Sequence, residues 1–107
     1  MASPKPGKPV RGSTTGRPVM ALLDLLGRRW ALRVMWELRE PLTFRALQER
    51  CGGISPTVLN RRLAELREAG IVELTDGTGY ALTEEGGLLV QNLLPLDRWA
   101  ERWAKRS

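Results

Sequence analysis

The sequence contains no histidine and only one cysteine, Cys51, among its 107 residues. A single cysteine cannot form an intramolecular disulfide, and one thiol without histidine cannot assemble a zinc site. A glycine-rich phosphate loop and a pair of carboxylates in apolar surroundings are also missing, so no catalytic constellation is evident. We therefore expect no metal, no cofactor and no enzymatic activity.

Long hydrophobic runs are missing as well. Residues 19–26 are the most apolar stretch, but they are too short to span a bilayer and they include Asp24. No small-residue cleavage pattern follows them, so the basic start of the chain is not a signal peptide. We expect a cytoplasmic protein that has no membrane partner.

The positive charge is concentrated at one end of the chain. The net charge is +5 and the pI is near 10.3, but residues 1–17 hold four basic residues and no acid, which leaves +1 for residues 18–107. Residues 1–17 are rich in proline, glycine, serine and threonine, which predicts a disordered basic arm before one folded domain at 18–107. The arm is either a solvated tail or an extension that contacts phosphates or a minor groove.

Residues 43–70 have the pattern of a helix-turn-helix. Two runs of helical periodicity are separated by residues 51–54, where two glycines are followed by Ile54. Thr43 is a predicted N-cap of the first helix, and Ser55 is a predicted N-cap of the second. Pro56 suits the first position of the second helix, and Gly70 ends it. Cys51 is interpreted as a structural residue of the turn, because no second cysteine could resolve an oxidised form.

The second helix, predicted at residues 55–69, has two different faces. Leu59, Leu63 and Leu66 form an apolar stripe, and Thr57, Asn60, Arg61 and Ala64 lie towards the opposite side. This arrangement suits a recognition helix, although an ordinary amphipathic helix with a solvated face has the same periodicity. From Thr43 to Arg62 four arginines face one acid, so cations are available to meet phosphates.

After Gly70 the periodicity changes to that of β-strands. Two short β-rich runs surround the turn at residues 76–79, which predicts a hairpin at residues 72–82. Helices followed directly by a hairpin are the order of a winged helix, and Thr78 lies at the tip of the predicted wing. The fold class is therefore mainly α with a small β-hairpin.

Three further helices are predicted outside this unit. Pro18 starts a short helix that is apolar nearly all round, and residues 28–40 form a second, closed by Pro41. Trp30 and Trp36 in the second helix indicate core packing or, alternatively, a ligand pocket. Thr83 caps a last helix that continues past Pro95.

The first and last predicted helices expose more apolar surface than one small core can cover, which predicts a dimer interface. The predicted interface residues are Val19, Leu22, Leu23, Leu26, Leu89, Leu93, Leu96, Trp99 and Trp103.

From about Pro18 onward the chain resembles the HxlR-type winged helix-turn-helix transcriptional regulators of bacteria, which are relatives of the MarR group. The landmarks are residues 27–30, 42–47, 53–55 with Leu59, 62–63 with Leu66, 70–72, 80–86 and Trp99. The resemblance implies a dimer formed by the terminal helices, with the helix after the turn in the DNA major groove.

The sequence departs from that family at three places. Many relatives have a cysteine just before the first helix, used in some for sensing electrophiles or oxidants, whereas residues 17–20 here contain none. Thr43 stands where an arginine is usual, and the wing lacks a longer proline-containing insert. These departures remove the thiol switch at that position and some of the expected DNA contacts.

We therefore expect a homodimer that binds double-stranded DNA in a sequence-specific manner and regulates transcription. An alternative is a winged helix that binds another protein and has no DNA target, which would suit the nearly neutral charge of residues 18–107. Whether a small-molecule effector exists is left open. The predicted DNA-binding residues are Thr43, Arg45, Ser55, Pro56, Thr57, Asn60, Arg61, Arg62 and Thr78. Among them, Arg45 and Arg62 are expected to bind phosphates, and Thr57, Asn60 and Arg61 are expected to contact base edges.

Overall fold

The computed structural model describes residues 17–106, so the predicted arm, apart from Arg17, lies outside the described residues. Five helices and three strands follow one another within that range. They are α1 Pro18–Leu26, α2 Ala31–Glu37, β1 Leu42–Thr43, α3 Phe44–Cys51, α4 Pro56–Glu68, β2 Val72–Leu74, β3 Gly79–Leu82 and α5 Glu84–Arg106. None of these helices is long and apolar enough to cross a bilayer.

Helix α2 is shorter than the sequence pattern predicted. It begins at Ala31 rather than Arg28 and ends before Leu38, well short of Pro41. Trp30 precedes it with φ of 77°, a left-handed conformation that a non-glycine residue rarely adopts. The Trp30 side chain is partly buried and packs against the core. Trp36 is half-buried, and the guanidinium of Arg39 lies 4.0 Å from its ring centre.

The hydrophobic core lies where α2, α3 and α4 meet. Its fully buried side chains come from all three helices and from Leu38, which caps the end of α2: Val34, Met35, Leu38, Leu47, Leu59, Leu63 and Leu66. Burial of each such side chain contributes about 1.5–3 kcal/mol relative to exposure. The predicted apolar stripe of α4 is therefore confirmed as its core-facing side.

The predicted hairpin is confirmed, and a third strand extends it. The strand order is β1-β3-β2, and both pairings are antiparallel. Leu42 pairs with Tyr80 and Thr43 with Gly79, so β1 joins the wing to the start of α3. The sheet is therefore attached on two sides, through β2 to the end of α4 and through β1 to the segment before α3.

Helix α5 is anchored at its first turn to the segment that follows α4. The Thr83 hydroxyl accepts a hydrogen bond from Gly86 N at 3.0 Å and donates to the Gly70 carbonyl at 2.6 Å. A Cβ atom on Gly86 would overlap the carbonyl oxygen of Ile71, whereas one on Gly87 would meet nothing within 4 Å. The helix therefore packs against the Ile71 backbone at a distance that only glycine allows.

Candidate nucleic-acid interface

Helix α4 is held rigidly at its start. Ser55 Oγ accepts a hydrogen bond from Val58 N at 3.1 Å, and Pro56 occupies the first turn, as predicted. The preceding turn uses Gly52 and Gly53 with φ of 56° and 115°, which glycine adopts at little cost. Ile54 closes this turn by inserting into the core. The start of α4 thus has a fixed position relative to α3.

The outward face of α4 carries the side chains that sequence analysis assigned to base reading. Thr57, Asn60 and Arg61 are exposed on the side opposite the buried leucines. Within residues 17–106, the side chains of Asn60 and Arg61 make no hydrogen bond or ion pair, so their polar groups are available to a ligand. Asparagine and arginine are suited to bidentate contacts with adenine and guanine, respectively.

The start of α3 presents a second exposed polar site. Thr43 Oγ1 accepts a hydrogen bond from Ala46 N at 3.1 Å, which confirms its role as N-cap. Arg45, in the first turn, is exposed and has no ion pair within the described part of the chain. A free cation beside backbone N–H groups at a helix start is an arrangement that favours phosphate.

The tip of the wing is a tight turn stabilised by a backbone hydrogen bond from Thr75 N to Gly79 O at 2.9 Å. Gly77 has φ of 90°, and Thr78 is exposed beside it. Because β1 pairs with β3, this tip has a fixed relation to the start of α3. Thr78 is the one residue of the predicted DNA-binding set that lies on the wing.

Arg62 differs from the rest of the predicted set because the protein itself occupies its guanidinium. Arg62 Nε donates to the Arg29 carbonyl at 2.7 Å, and Nη1 lies 2.9 Å from Glu65 Oε1. Only 13% of its side chain is exposed. Arg62 therefore lies in an internal hydrogen-bond network, whereas the sequence predicted that it contacts a phosphate.

A family comparison agrees with this geometry. The sequence model of the HxlR-like helix-turn-helix family matches residues 25–107, which is most of the chain. The chain belongs to the HxlR-like helix-turn-helix family. No curated protein matches it at a significant level.

Solved structures similar to this HxlR-like chain are transcriptional regulators. Quinone-bound YodB from Bacillus subtilis has 32% identity and a TM-score of 0.72, over 78% of this chain and 96% of that one. A possible HxlR family transcriptional factor from Thermoplasma volcanium has 30% identity and a TM-score of 0.71, over 78% and 82%. A candidate MarR-family regulator from Enterococcus faecalis has 28% identity and a TM-score of 0.71, over 82% and 86%.

The predicted dimer residues of this HxlR-like chain fall into two groups. Leu26, Leu89 and Leu93 are partly buried and already pack against the protein's own core. The exposed group comprises Val19, Leu23, Leu96, Trp99 and Trp103, and Leu22 is half-buried. Of the predicted dimer residues, the exposed group is the one that leaves a large apolar surface uncovered.

Cys51 lies at the end of α3 with 2% of its surface exposed. Burial raises the pKa of its thiol; nearby Arg33 partly offsets this rise, and Glu37 adds to it. A raised pKa lowers the thiolate fraction, and the thiolate is the reactive form. The structural role predicted for Cys51 agrees with this burial.

Glu65 and Arg28 were not predicted from the sequence to belong to the site of this HxlR-like chain. Glu65 is buried on the flank of α4, and Arg28 Nη1 reaches its Oε2 at 2.8 Å. Arg28 also lies 3.4 Å from Asp24, a spacing of four residues that a helical pattern could have suggested. The contacts from α4 to the turn before α2 had no signal, because they join distant parts of the chain.

Proposed function

We propose that the protein is a homodimeric transcriptional regulator that binds double-stranded DNA in a sequence-specific manner. In this proposal α4 lies in the major groove and the β2–β3 wing lies beside it. Thr57, Asn60 and Arg61 contact base edges, because these groups share the outward face of one helix.

The observation that carries the proposal is the contrast between the two sides of α4. One side is fixed by Leu59, Leu63 and Leu66, which are at most 2% exposed, and the other presents Asn60 and Arg61 without internal partners among residues 17–106. Base reading requires side chains that are both available and held in register. Helix α4 meets both conditions.

The proposed phosphate contacts are smaller in number than sequence analysis suggested. Arg45 is an exposed cation with no ion pair among residues 17–106, and Thr43, Ser55 and Thr78 supply hydroxyl groups at helix starts and at the wing tip. Pro56 lies at the start of α4 and offers only apolar contact. Arg62 is withdrawn from the set, because its Nε and Nη1 donors are bonded to Arg29 and Glu65 and only 13% of its side chain is exposed.

The homodimer is proposed from the exposed apolar surface on α1 and on the end of α5. The rings of Trp99 and Trp103 stack with centres 5.7 Å apart, yet both side chains remain more than half exposed. Leu96 lies on the same side of the helix and is 58% exposed. Pairing of two such surfaces would place two copies of α4 on successive half-sites of a DNA duplex.

The test is titration of the purified protein against DNA fragments from its own genomic neighbourhood and a scrambled duplex, at about 50 and 200 mM salt. Arg61→Ala should cost about 1–3 kcal/mol on the cognate site and little on the scrambled one. Arg45→Ala should weaken binding to both and lower the salt slope by about one. Arg98→Ala, in α5, is the control for loss of one exposed arginine.

The outcomes separate the alternatives. Specific binding that weakens with salt supports the regulator, whereas absence of binding at both salt concentrations supports a protein-interaction module. Equal losses on both DNAs for Arg61→Ala would mean that a different face of α4 reads the bases.

A further inference from the structure

Glu65 is the only charged residue that is buried among residues 17–106, with 5% of its surface exposed. It lies on α4 between the outward face and the core-facing leucines. Burial of a carboxylate is costly unless its oxygens are paired. The surroundings of Glu65 must therefore provide that pairing.

Two arginines enclose the Glu65 carboxylate. Arg28 Nη1 lies 2.8 Å from Oε2, and Arg62 Nη1 lies 2.9 Å from Oε1. These arginine side chains are themselves only 14% and 13% exposed. Arg62 Nε also donates to the Arg29 carbonyl, so the cluster fastens α4 to the turn that follows α1.

An open cavity of about 570 Å³ lies directly beside this cluster. Its lining includes Arg28, Arg62 and Glu65, and also Arg29 and Arg61, which are exposed. Four arginines and two acids line it, which gives a formal net charge of +2. A guanidinium released from Glu65 would have room to turn towards the surface that carries Arg61.

We propose that Glu65 determines the specificity of DNA binding by holding Arg62 and Arg28 away from the phosphate backbone. This inference rests on the proposed function. Phosphate contacts strengthen binding to every sequence alike, whereas base contacts distinguish sequences. By pairing two cations inside the protein, Glu65 keeps non-specific attraction low and keeps α4 fastened in the orientation that base reading needs.

Loss of the Glu65 charge should have two effects on binding. Arg28 retains a second acid, Asp24, at 3.4 Å, so Arg62 is the arginine that is freed. It adds about one phosphate contact, which steepens the salt slope by about 0.9 on any DNA. The weaker attachment of α4 costs base contacts, and these exist only on the cognate site. Affinity for scrambled DNA should therefore rise, while the ratio of cognate to scrambled affinity should fall.

The test uses the full chain with Glu65→Gln, Arg62→Gln and the double variant, titrated against cognate and scrambled duplexes from about 50 to 200 mM salt. One extra phosphate contact makes affinity fall about threefold more across that range, and we expect this for Glu65→Gln. Arg62→Gln should have the salt slope of the parent. In the double variant the slope should return towards the parental value, because the released arginine is absent. Glu49→Gln, an exposed acid on α3, controls for loss of one negative charge.

Each outcome decides the matter. If folded Glu65→Gln keeps the salt slope and the affinity ratio of the parent, the proposal is wrong. It is also wrong if Glu65→Gln loses affinity equally on both DNAs with no change of salt slope, because a purely structural role of Glu65 gives that result. If Glu65→Gln fails to fold, Arg62→Gln decides, because a slope lowered by about 0.9 would mean that Arg62 already binds phosphate. A parent that binds no DNA contradicts the proposed function instead.

Discussion

The two halves of α5 are stabilised in different ways. In the first half Gly86 and Val90 are buried, and Leu89 and Leu93 pack against the domain core. In the second half every residue from 94 to 106 is exposed, including Leu96 and both tryptophans. One continuous helix therefore begins inside the domain and ends outside it.

This difference indicates what each half requires. Isolated helices shorter than about 12–15 residues are marginal in water, so the exposed half gains little from helix propensity alone. The stacked rings of Trp99 and Trp103 and the cations Lys105 and Arg106 in the last turn of the helix add modest support. Substantial stabilisation of the second half has to come from a partner surface, and we propose a second copy of the chain.

The largest effect is expected from a charge placed in the exposed half. Leu96→Glu should raise the dissociation constant of the dimer at least about 100-fold, because a buried carboxylate would face an apolar partner surface. Analytical ultracentrifugation across a concentration series measures this change. Arg98→Glu, on the opposite side of the helix, is the control and should remain dimeric. If the two variants have the same dimer dissociation constant, the side of α5 that carries Leu96 does not belong to the dimer interface.

An intermediate effect is expected at the embedded end. Gly86→Ala should lower the free energy of unfolding by about 1–3 kcal/mol, because its Cβ overlaps the Ile71 carbonyl. Gly87→Ala is the matched control and should raise it by up to about 1 kcal/mol through helix propensity, since its Cβ meets open space. Urea denaturation measures both values. A neutral Gly86→Ala would show that this end of α5 is free to shift.

The smallest effect is expected in the pH dependence of stability, through the buried thiol of Cys51. Burial raises the pKa of this thiol in the folded state, so the folded protein retains a proton that the unfolded chain loses. Stability should therefore fall as pH rises above the pKa of an unfolded thiol, about 8.5. Urea denaturation of the parent and Cys51→Ala between about pH 8 and 10 tests this sign. Parallel curves would mean that the thiol is hydrated in the folded protein.

Local signals accounted for most of the fold. Ser55, Thr43 and Thr83 were identified as caps because the capping hydrogen bond reaches only three residues along the chain. Strand β1 was not predicted, since a two-residue strand has no periodicity and exists only through its pairing with β3. Helix α2 was predicted too long because Trp30 has a left-handed conformation that interrupts the helical periodicity, and a non-glycine residue rarely adopts it.

The same division applies to the candidate site. The exposed position of Thr57, Asn60 and Arg61 followed from helical periodicity and from the leucine stripe opposite. Arg62 was assigned to phosphate because it lies on the flank of the helix, where a long side chain can reach the DNA backbone, although the spacing of three residues to Glu65 already allowed an ion pair. Its partners, Arg29 and Glu65, occupy it through tertiary contacts and through the neighbouring turn of α4.

Strand β1 also sets an order for assembly of residues 42–82. Helices α3 and α4 are built from contacts between near neighbours, whereas Leu42 and Tyr80 meet only after the intervening helices have brought distant segments together. On a ribosome, Leu42 and Thr43 would emerge long before β3 and would wait as an unpaired edge. Within this segment, the pairing of β1 with β3 is therefore the last strand contact to form, after the local hairpin of β2 and β3.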